Sequence, residues 1–531
     1  MNCRFIVCVC VVLIHCSAFS AVTVKEHGAI GDGVTDDTVA IQKAIDVVGK
    51  TGGTLLFPAG TYVVTSVGLR PGVRYLGYGA TIKRPAGQGK WVRTFNAAKQ
   101  GYLHNAETDS PWLTIEGFTF DGNRAEQGEY RKYQLEQAHL IFLSAHKQSK
   151  GRLRARVVNC HFQDNVADGL SLYVNVDVRV INCSARDVFR GGITITGGNS
   201  RIQVMNFTAE GKTHPTGIDV EVDGAGYGGR KRIELMLSGI HLPDGDFDVG
   251  VSDDSVVLGS NISARSPFHL VSRRSRMKFS NSQFGIGRYS GYANRIVNPH
   301  DVTFHSCRFE IDPHNDSGKE PGKWAAVHVY WNVGQSSETN QALKLIDCDF
   351  GVNQGMAKEA DTYAVYCEGD FADRNNRLIM EGGRISADFD HGIWFNQGGN
   401  LRLCDTTIAA DTGMRLGSSG KWNIDAEVGG IRFLGNRYAD IPTHGALNRI
   451  FHQNVIIDET SNRITTRYGI VRNRYEGRRI ILGENPPTTK THGLTGDVFR
   501  LKHPPADEPM AWICTKPGID SGAVWSPLSG R

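Results

Sequence analysis

The chain reads as an all-β protein, a parallel β-helix in which short strands stack as the coils of a solenoid. Three observations predict this. Between Val157 and Gly224 one theme recurs three times at a spacing of about 23 to 25 residues, a period typical of solenoids and arrays. Each copy has an alternating run closed by Asn (VVNC, VINC, VMNF), a polar turn, then a Gly-led strand (DGLSLY, GGITIT, TGIDVE). Alternation with period two belongs to strands, and short β units of this length bury their apolar faces only by stacking on one another. Gly is abundant (62) and Pro scarce (18), which suits many tight turns between short strands.

With 531 residues the chain is long enough for a solenoid and an accessory domain. The expected division is 1–20 as a signal peptide, 21–455 as the β-helix with an N-terminal cap, and 456–531 as a small C-terminal β module. Arg4, the apolar run FIVCVCVVLI and the small-residue site Ala18-Phe19-Ser20 predict a cleaved export signal, hence a secreted or extracytoplasmic protein. That run is too short to span a bilayer, and no later segment reads as transmembrane. A formal charge of only +4 argues against a dedicated nucleic-acid binder. Seven cysteines follow the leader (Cys160, Cys183, Cys307, Cys348, Cys367, Cys404 and Cys514), and none has zinc-site spacing. Their repeated strand-end positions read as small buried side chains rather than a disulfide framework.

Past the leader, Asp36 or Asp37 can cap a helix with Val39, Ala40, Ala44, Ile45 and Val48 at helical spacing. Gly52-Gly53 ends it, and LLFP opens a strand. The residues Gly28-Ala29, Gly31-Asp32-Gly33, Thr35-Asp36-Asp37-Thr38, Ala40-Ile41, Ala44-Ile45, Gly52-Gly53-Thr54 and Phe57-Pro58, with Gly60-Thr61-Tyr62, resemble the N-terminal signature of the pectate-lyase superfamily, pectate lyase 3 type. The resemblance covers about the first tenth of the chain. It implies a right-handed parallel β-helix whose end the helix covers, an end that would otherwise expose core and unpaired strand edge.

Strand-and-turn grammar continues through GVRYLGYGATIKR and WLTIEGFTFDGN. Residues 126–148 depart from it and read as an insertion or helix beside the solenoid. Later units (RMKFSNSQFG, DVTFHSCRFEI, ALKLIDCDFG, RLIMEGGRIS, LRLCDTTIAA) carry the coils to about Asp440. The C-terminal segment holds Trp512 and Trp525, expected as core rings.

Strand alternation also locates a candidate site. With Ile218 and Val220 turned inward, Asp219 and Glu221 face outward. The following rung adds Asp248, and the preceding rungs add Arg190, Asp168 and Tyr173. Rungs about 4.8 Å apart gather these carboxylates beside one Arg. Asp219, Glu221, Asp248, Arg190 and Asp168 are therefore the candidate catalytic residues. A glycoside hydrolase needs one protonated and one ionised carboxyl and no cofactor. A calcium-assisted lyase would instead use Asp219, Glu221 and Asp248 as ligands for Ca2+. Uronate epimerisation shares the lyase's proton abstraction. Further along, Tyr173, His269, Arg295, His328, Tyr330 and Trp394 suit contacts with sugar rings and their anionic groups.

The superfamily resemblance leaves the reaction open. Of the polygalacturonase elements only Asp253-Asp254 has a counterpart. Arg265-Ser266-Pro267 begins a pectate-lyase base motif, but Leu270 stands at its second Arg. Asn298-Pro299-His300 and Asp312-Pro313-His314 are similar to the epimerase DPH element, away from the carboxylates. The expectation is an exported enzyme cleaving glycosidic bonds of a polysaccharide, an acidic one by this reading, with hydrolysis ahead of β-elimination or epimerisation. A non-catalytic adhesin or tailspike-like carbohydrate binder is the alternative class, and an oligomer is compatible with either.

Overall fold

The structure is a computed structural model. It describes residues 21–528 other than 89–91, 100–102, 104, 129–134, 212–215, 223–231, 253, 267, 286–293, 312–323, 332–340, 353–360, 370–375, 397, 418–423, 442–447, 459, 461–463, 467–472, 505–508 and 519–521. The expected leader and the segment Asp312-Pro313-His314 lie outside the described residues.

Each coil contributes three strand segments, as in Leu153–Val158, His161–Gln163 and Leu170–Leu172. Leu153–Val158 pairs in parallel with Val176–Arg186 of the next coil, which pairs in turn with Ser200–Glu210. Among the described residues, stacking of the coils builds a 15-stranded sheet and most of a 31-stranded one, a parallel β-helix. Alternate residues fill one continuous core, among them Val178, Val180, Ile193, Ile195, Ile218 and Val220.

The recurring Asn of the repeat explains why the long sheet bends. Asn159, Asn182 and Asn206 have φ of 51°, 53° and 54°. This left-handed conformation turns the chain between two faces of the coil, and Asn tolerates it better than most residues with a side chain. The corner also forms a ladder, since Asn206 Nδ2 donates to Asn182 Oδ1 at 3.0 Å.

The Gly-led strands have a different cause. A Cβ on Gly192 would sit 2.8 Å from the Phe207 ring and 2.9 Å from the Gly217 carbonyl oxygen. Gly217 would meet Leu242 at 2.6 Å. The two glycines enter neighbouring strands, Gly191–Ile195 and Thr216–Glu221, where no side chain fits.

The helix Thr38–Val48 buries Ile41, Ala44, Ile45 and Val48, whereas Val39 is 81% exposed. Asp36 Oδ1 accepts from the Thr38 N–H at 2.9 Å. Asp37, the residue before the helix, instead accepts from the N–H groups of Ile30 and Gly31, tying down the preceding turn.

Two segments differ from the sequence reading. Residues 126–148 are not simply an insertion: Ile141–Leu143 is a strand of the 15-stranded sheet, fully buried and paired with Leu170–Leu172. Three consecutive apolar residues, buried on both faces, hide the alternation that marks the other strands. A boundary at 455/456 falls inside the strand Asn448–Asp458, and parallel pairing continues into Asn473–Gly483. Antiparallel pairing begins only where Val498–Leu501 meets Ala511–Lys516. There Phe499 packs edge-on to Trp512 and Trp525, with centroids 6.1 and 5.8 Å apart. All seven described cysteines are free thiols, and all but Cys404 are buried. Among the described residues no helix is long and apolar enough to cross a membrane.

Candidate active site

The 15-stranded sheet turns one column of side chains away from the core. Parallel register runs Phe142, Ser171, Thr194, Asp219, Asp248, His269, Arg295 and His328, one residue per rung. It continues through Tyr366, Trp394 and Arg415. A second column, two residues further along each strand, contains Glu221, and several rungs on Tyr330 and Glu368.

Asp219 lies between Thr194 and Asp248 on this column, yet it is only 9% exposed. Burial, followed by the charges of Glu221, Asp248 and Asp168, pushes its carboxyl up to about 8, against a smaller opposing pull from Arg190. It is therefore largely protonated at neutral pH. Removing a carboxylate from water and placing others beside it both disfavour the ionised form.

Arg190 links two of the neighbours. Its Nη2 donates to Glu221 Oε2 at 3.2 Å, and its Nε lies 4.0 Å from Asp168 Oδ1. Asp168 is fully buried, and its Oδ2 stands 2.9 Å from His139 Nδ1. The two atoms approach closely without forming a hydrogen bond. His139 Nε2 faces Gln137 Oε1 at 3.2 Å, and the same oxygen accepts from Arg93 Nη2 at 3.2 Å. Arg93 sits 3.5 Å above the Phe142 ring.

A cavity of about 540 Å³ opens beside this chain of groups. Arg93, His139, Asp168, Ser171, Tyr173 and Arg190 are among its lining residues. Asp219 is not, so Arg190 and Asp168 are the side chains shared by the cavity and the carboxylate cluster.

The five candidate catalytic residues thus stand together. His139, Gln137 and Arg93 join them without having been expected. The first two lie in the stretch read as an insertion, and a His directly before the apolar run LIFL was the only available signal. Tyr173 lines the cavity, and His269, Arg295 and His328 extend along the column. His269 is exposed, and the Arg295 guanidinium lies 5.0 Å from the Tyr330 ring. Trp394 differs from expectation. It is 6% exposed, its Nε1 donates to the Gly417 carbonyl, and Tyr366 and Arg415 pack on it at 4.8 and 4.4 Å. Its outward register position carries no open stacking face, because Tyr366 and Arg415 on the adjacent rungs cover it.

Beyond the cluster, His328 Nε2 lies 3.0 Å from Glu368 Oε1, and Tyr366 OH donates to the other carboxylate oxygen at 2.5 Å. Burial, and then that hydrogen bond to Glu368, raise the Tyr366 phenol well above its ordinary value. Among the described residues no group of three or more His, Cys, Asp or Glu side chains is arranged to hold a metal ion.

Residues 21–228 match the family described as Rhamnogalacturonase A/epimerase, pectate lyase-like. Plasmin and fibronectin-binding protein A of Streptococcus pneumoniae is 50% identical over 50 residues, 9% of this chain and 7% of that protein. Mannuronan C5-epimerase AlgE6 of Azotobacter vinelandii is 37% identical over 114 residues, 19% of this chain and 12% of that protein. The chain thus spans a small part of the length of either relative. The solved A-module of that Azotobacter vinelandii epimerase is 15% identical, with a TM-score of 0.34, over 88% of this chain and 100% of the module. Its low score leaves the chain's own strand register to define the fold. The resemblance to pectate-lyase-superfamily β-helix proteins, first carried by the signature near Gly31-Asp32-Gly33, is matched by a family model across residues 21–228.

Proposed function

We propose that this chain is an exported enzyme that cleaves glycosidic bonds of an acidic polysaccharide by hydrolysis, at Asp219 and its neighbours. The observation that carries the reading is a protonated acid set among other carboxyls. Asp219, its carboxyl pushed up to about 8, stands beside Asp248 and Glu221, and Arg190 donates to Glu221 at 3.2 Å. Glycoside hydrolysis needs a division of roles, one acid to protonate the leaving oxygen and one base or nucleophile.

In this reading Asp219 donates its proton to the glycosidic oxygen. Asp248, on the adjacent rung about 4.8 Å away, or Glu221 acts as the carboxylate partner. Arg190 orients Glu221 and, with Arg93, offers cationic donors to an anionic group in the cavity. The outward column through His269 and Arg295 gives a linear polymer a straight path. The family description and the epimerase relative support a carbohydrate substrate.

A second reading, proton abstraction leading to β-elimination or epimerisation, is favoured by one observation. His139 and Tyr173, both able to move protons, line the cavity with Arg190. One experiment separates the two. Acidic and neutral polysaccharides are incubated with the protein, and new reducing ends and ultraviolet-absorbing unsaturated ends are scored with and without a chelator. Reducing ends without unsaturation support hydrolysis. Unsaturated ends overturn it in favour of elimination, and loss of that signal on chelation would add a cation. Binding without any new ends would overturn both cleavage reactions; NMR of the recovered polymer then separates epimerisation, which changes the uronate C5 configuration, from a carbohydrate-binding protein that leaves it unchanged.

A further inference from the structure

The outward face of the long sheet is largely charge-balanced by register. Arg186 pairs with Glu210, Arg201 with Glu234, Arg276 with Asp301 and Arg402 with Glu427, each across adjacent rungs at 3.1–3.8 Å. The balance breaks around Trp112. Arg156 and Arg179 are direct register neighbours of like charge. Together with Arg154 they converge on Trp112, their guanidinium carbons 4.2, 5.1 and 4.3 Å from the ring centroid. Among the described residues, no carboxylate lies within 4 Å of any of the three.

The nearby acids are engaged or displaced. Glu116 is held by Arg74 at 2.8 Å and by the Tyr78 hydroxyl at 3.0 Å. Asp177 is the register neighbour of Arg154 and Arg201 but pairs with neither within 4 Å, and Arg201 is committed to Glu234. Asp109 accepts from the Arg152 backbone N–H, and the Arg152 side chain is bound to Asn199. Like charges opposite one another in a sheet are unfavourable. Packing against an indole offsets part of that cost and holds the guanidiniums in place, so less side-chain freedom is lost when they bind a ligand.

We propose that Trp112, Arg154, Arg156 and Arg179 form an anion-binding site on the outside of the long sheet, separate from Asp219, which engages carboxylate or sulfate groups of an anionic glycan. The guanidinium edges of Arg156 and Arg179 supply forked N–H donors that match such a group. The choice of a glycan as carrier of the charge rests on the function proposed above; the anion site does not. Its role is to hold polymer on the enzyme surface without cleaving it.

The test is retardation of the full chain in native gels containing polygalacturonate, dextran sulfate, neutral dextran or single-stranded DNA. Retardation by polygalacturonate points to carboxylate recognition and by dextran sulfate to sulfate recognition; either supports the site, with no retardation by neutral dextran. Arg156→Gln/Arg179→Gln should weaken that retention about tenfold, and Trp112→Phe should weaken it less. Arg402→Gln, which removes a carboxylate-paired arginine from the same sheet, should leave it unchanged. Asp219→Asn should also retain full retardation, which keeps failure here distinct from failure of the hydrolase reading. Unchanged retention in the double variant, with an unaltered melting temperature, overturns the proposal. So does retention by DNA that exceeds both glycans, or no retention by any polyanion.

Discussion

Asp219 combines a strand position that faces outward with a side chain that is nearly buried, and its chemistry follows from that conflict. Its carboxyl titrates near 8, above the ordinary value of 3.8, because of burial and three acidic neighbours. The folded chain therefore binds a proton that the unfolded chain releases, and stability falls as pH rises between about 4 and 8. Asp219→Asn removes this penalty. Its melting temperature relative to the native protein should rise across that window, measured by thermal denaturation at several pH values. A constant difference would mean that Asp219 titrates like a surface acid. If Asp219 is the proton donor, activity should decline as pH rises through about 8. Asp219→Asn should then lower turnover by about 10²–10⁴-fold with polymer binding retained. Outward alternation made Asp219, Glu221 and Asp248 recognisable in the sequence. The raised titration was not, since it depends first on burial and then on carboxylates that include Asp248 and Asp168 from other coils.

At the scale of the element, the corner asparagines and the strand-opening glycines show two separate local constraints. Asn182, at φ 53° between the two faces of Val176–Arg186, needs a residue that tolerates the left-handed conformation. Asn182→Ala should destabilise the coil by about 1–2 kcal/mol, whereas Asn182→Gly should be close to neutral; chemical denaturation measures both. Equal losses would instead assign the effect to the Asn182–Asn206 hydrogen bond. Both constraints were visible as repeats, because each coil meets the same corner and the same close approach. The strand Ile141–Leu143 was not visible, since burial on both faces removes the polar residues that create alternation. His139 was lost with it, though it stands 2.9 Å from Asp168.

For the whole molecule, stacking converts local repeats into a straight strip of outward groups. From Asp219 the column passes Asp248, His269 and Arg295 to His328, four rung steps, or about 19 Å. If substrate follows that strip, the efficiency of cleavage should increase with oligosaccharide length until the chain spans it. Arg295→Ala should flatten this dependence by raising KM for long oligomers while kcat holds, measured on a size series. A length profile identical to that of the native protein would place the polymer elsewhere. Coil stacking also sets the end of the parallel region. The coils run through Asn473–Gly483, past the loss of obvious rhythm near Asp440, because pairing to the preceding rung outlasts a regular sequence pattern.

Read alone, the sequence determined the class of fold, the helix at its start, the corner and glycine positions, and the strand face carrying the acidic residues. Those features follow from local periodicity, turn chemistry and a signature confined to the N-terminal segment. Only tertiary structure decided which charges meet. The Arg190 bridge, the buried His139–Asp168 contact, the covered Trp394 and the arginines around Trp112 all join residues from different coils. Strand alternation sets the direction of a side chain, but rung register and the packing of neighbouring side chains set its partners and its exposure.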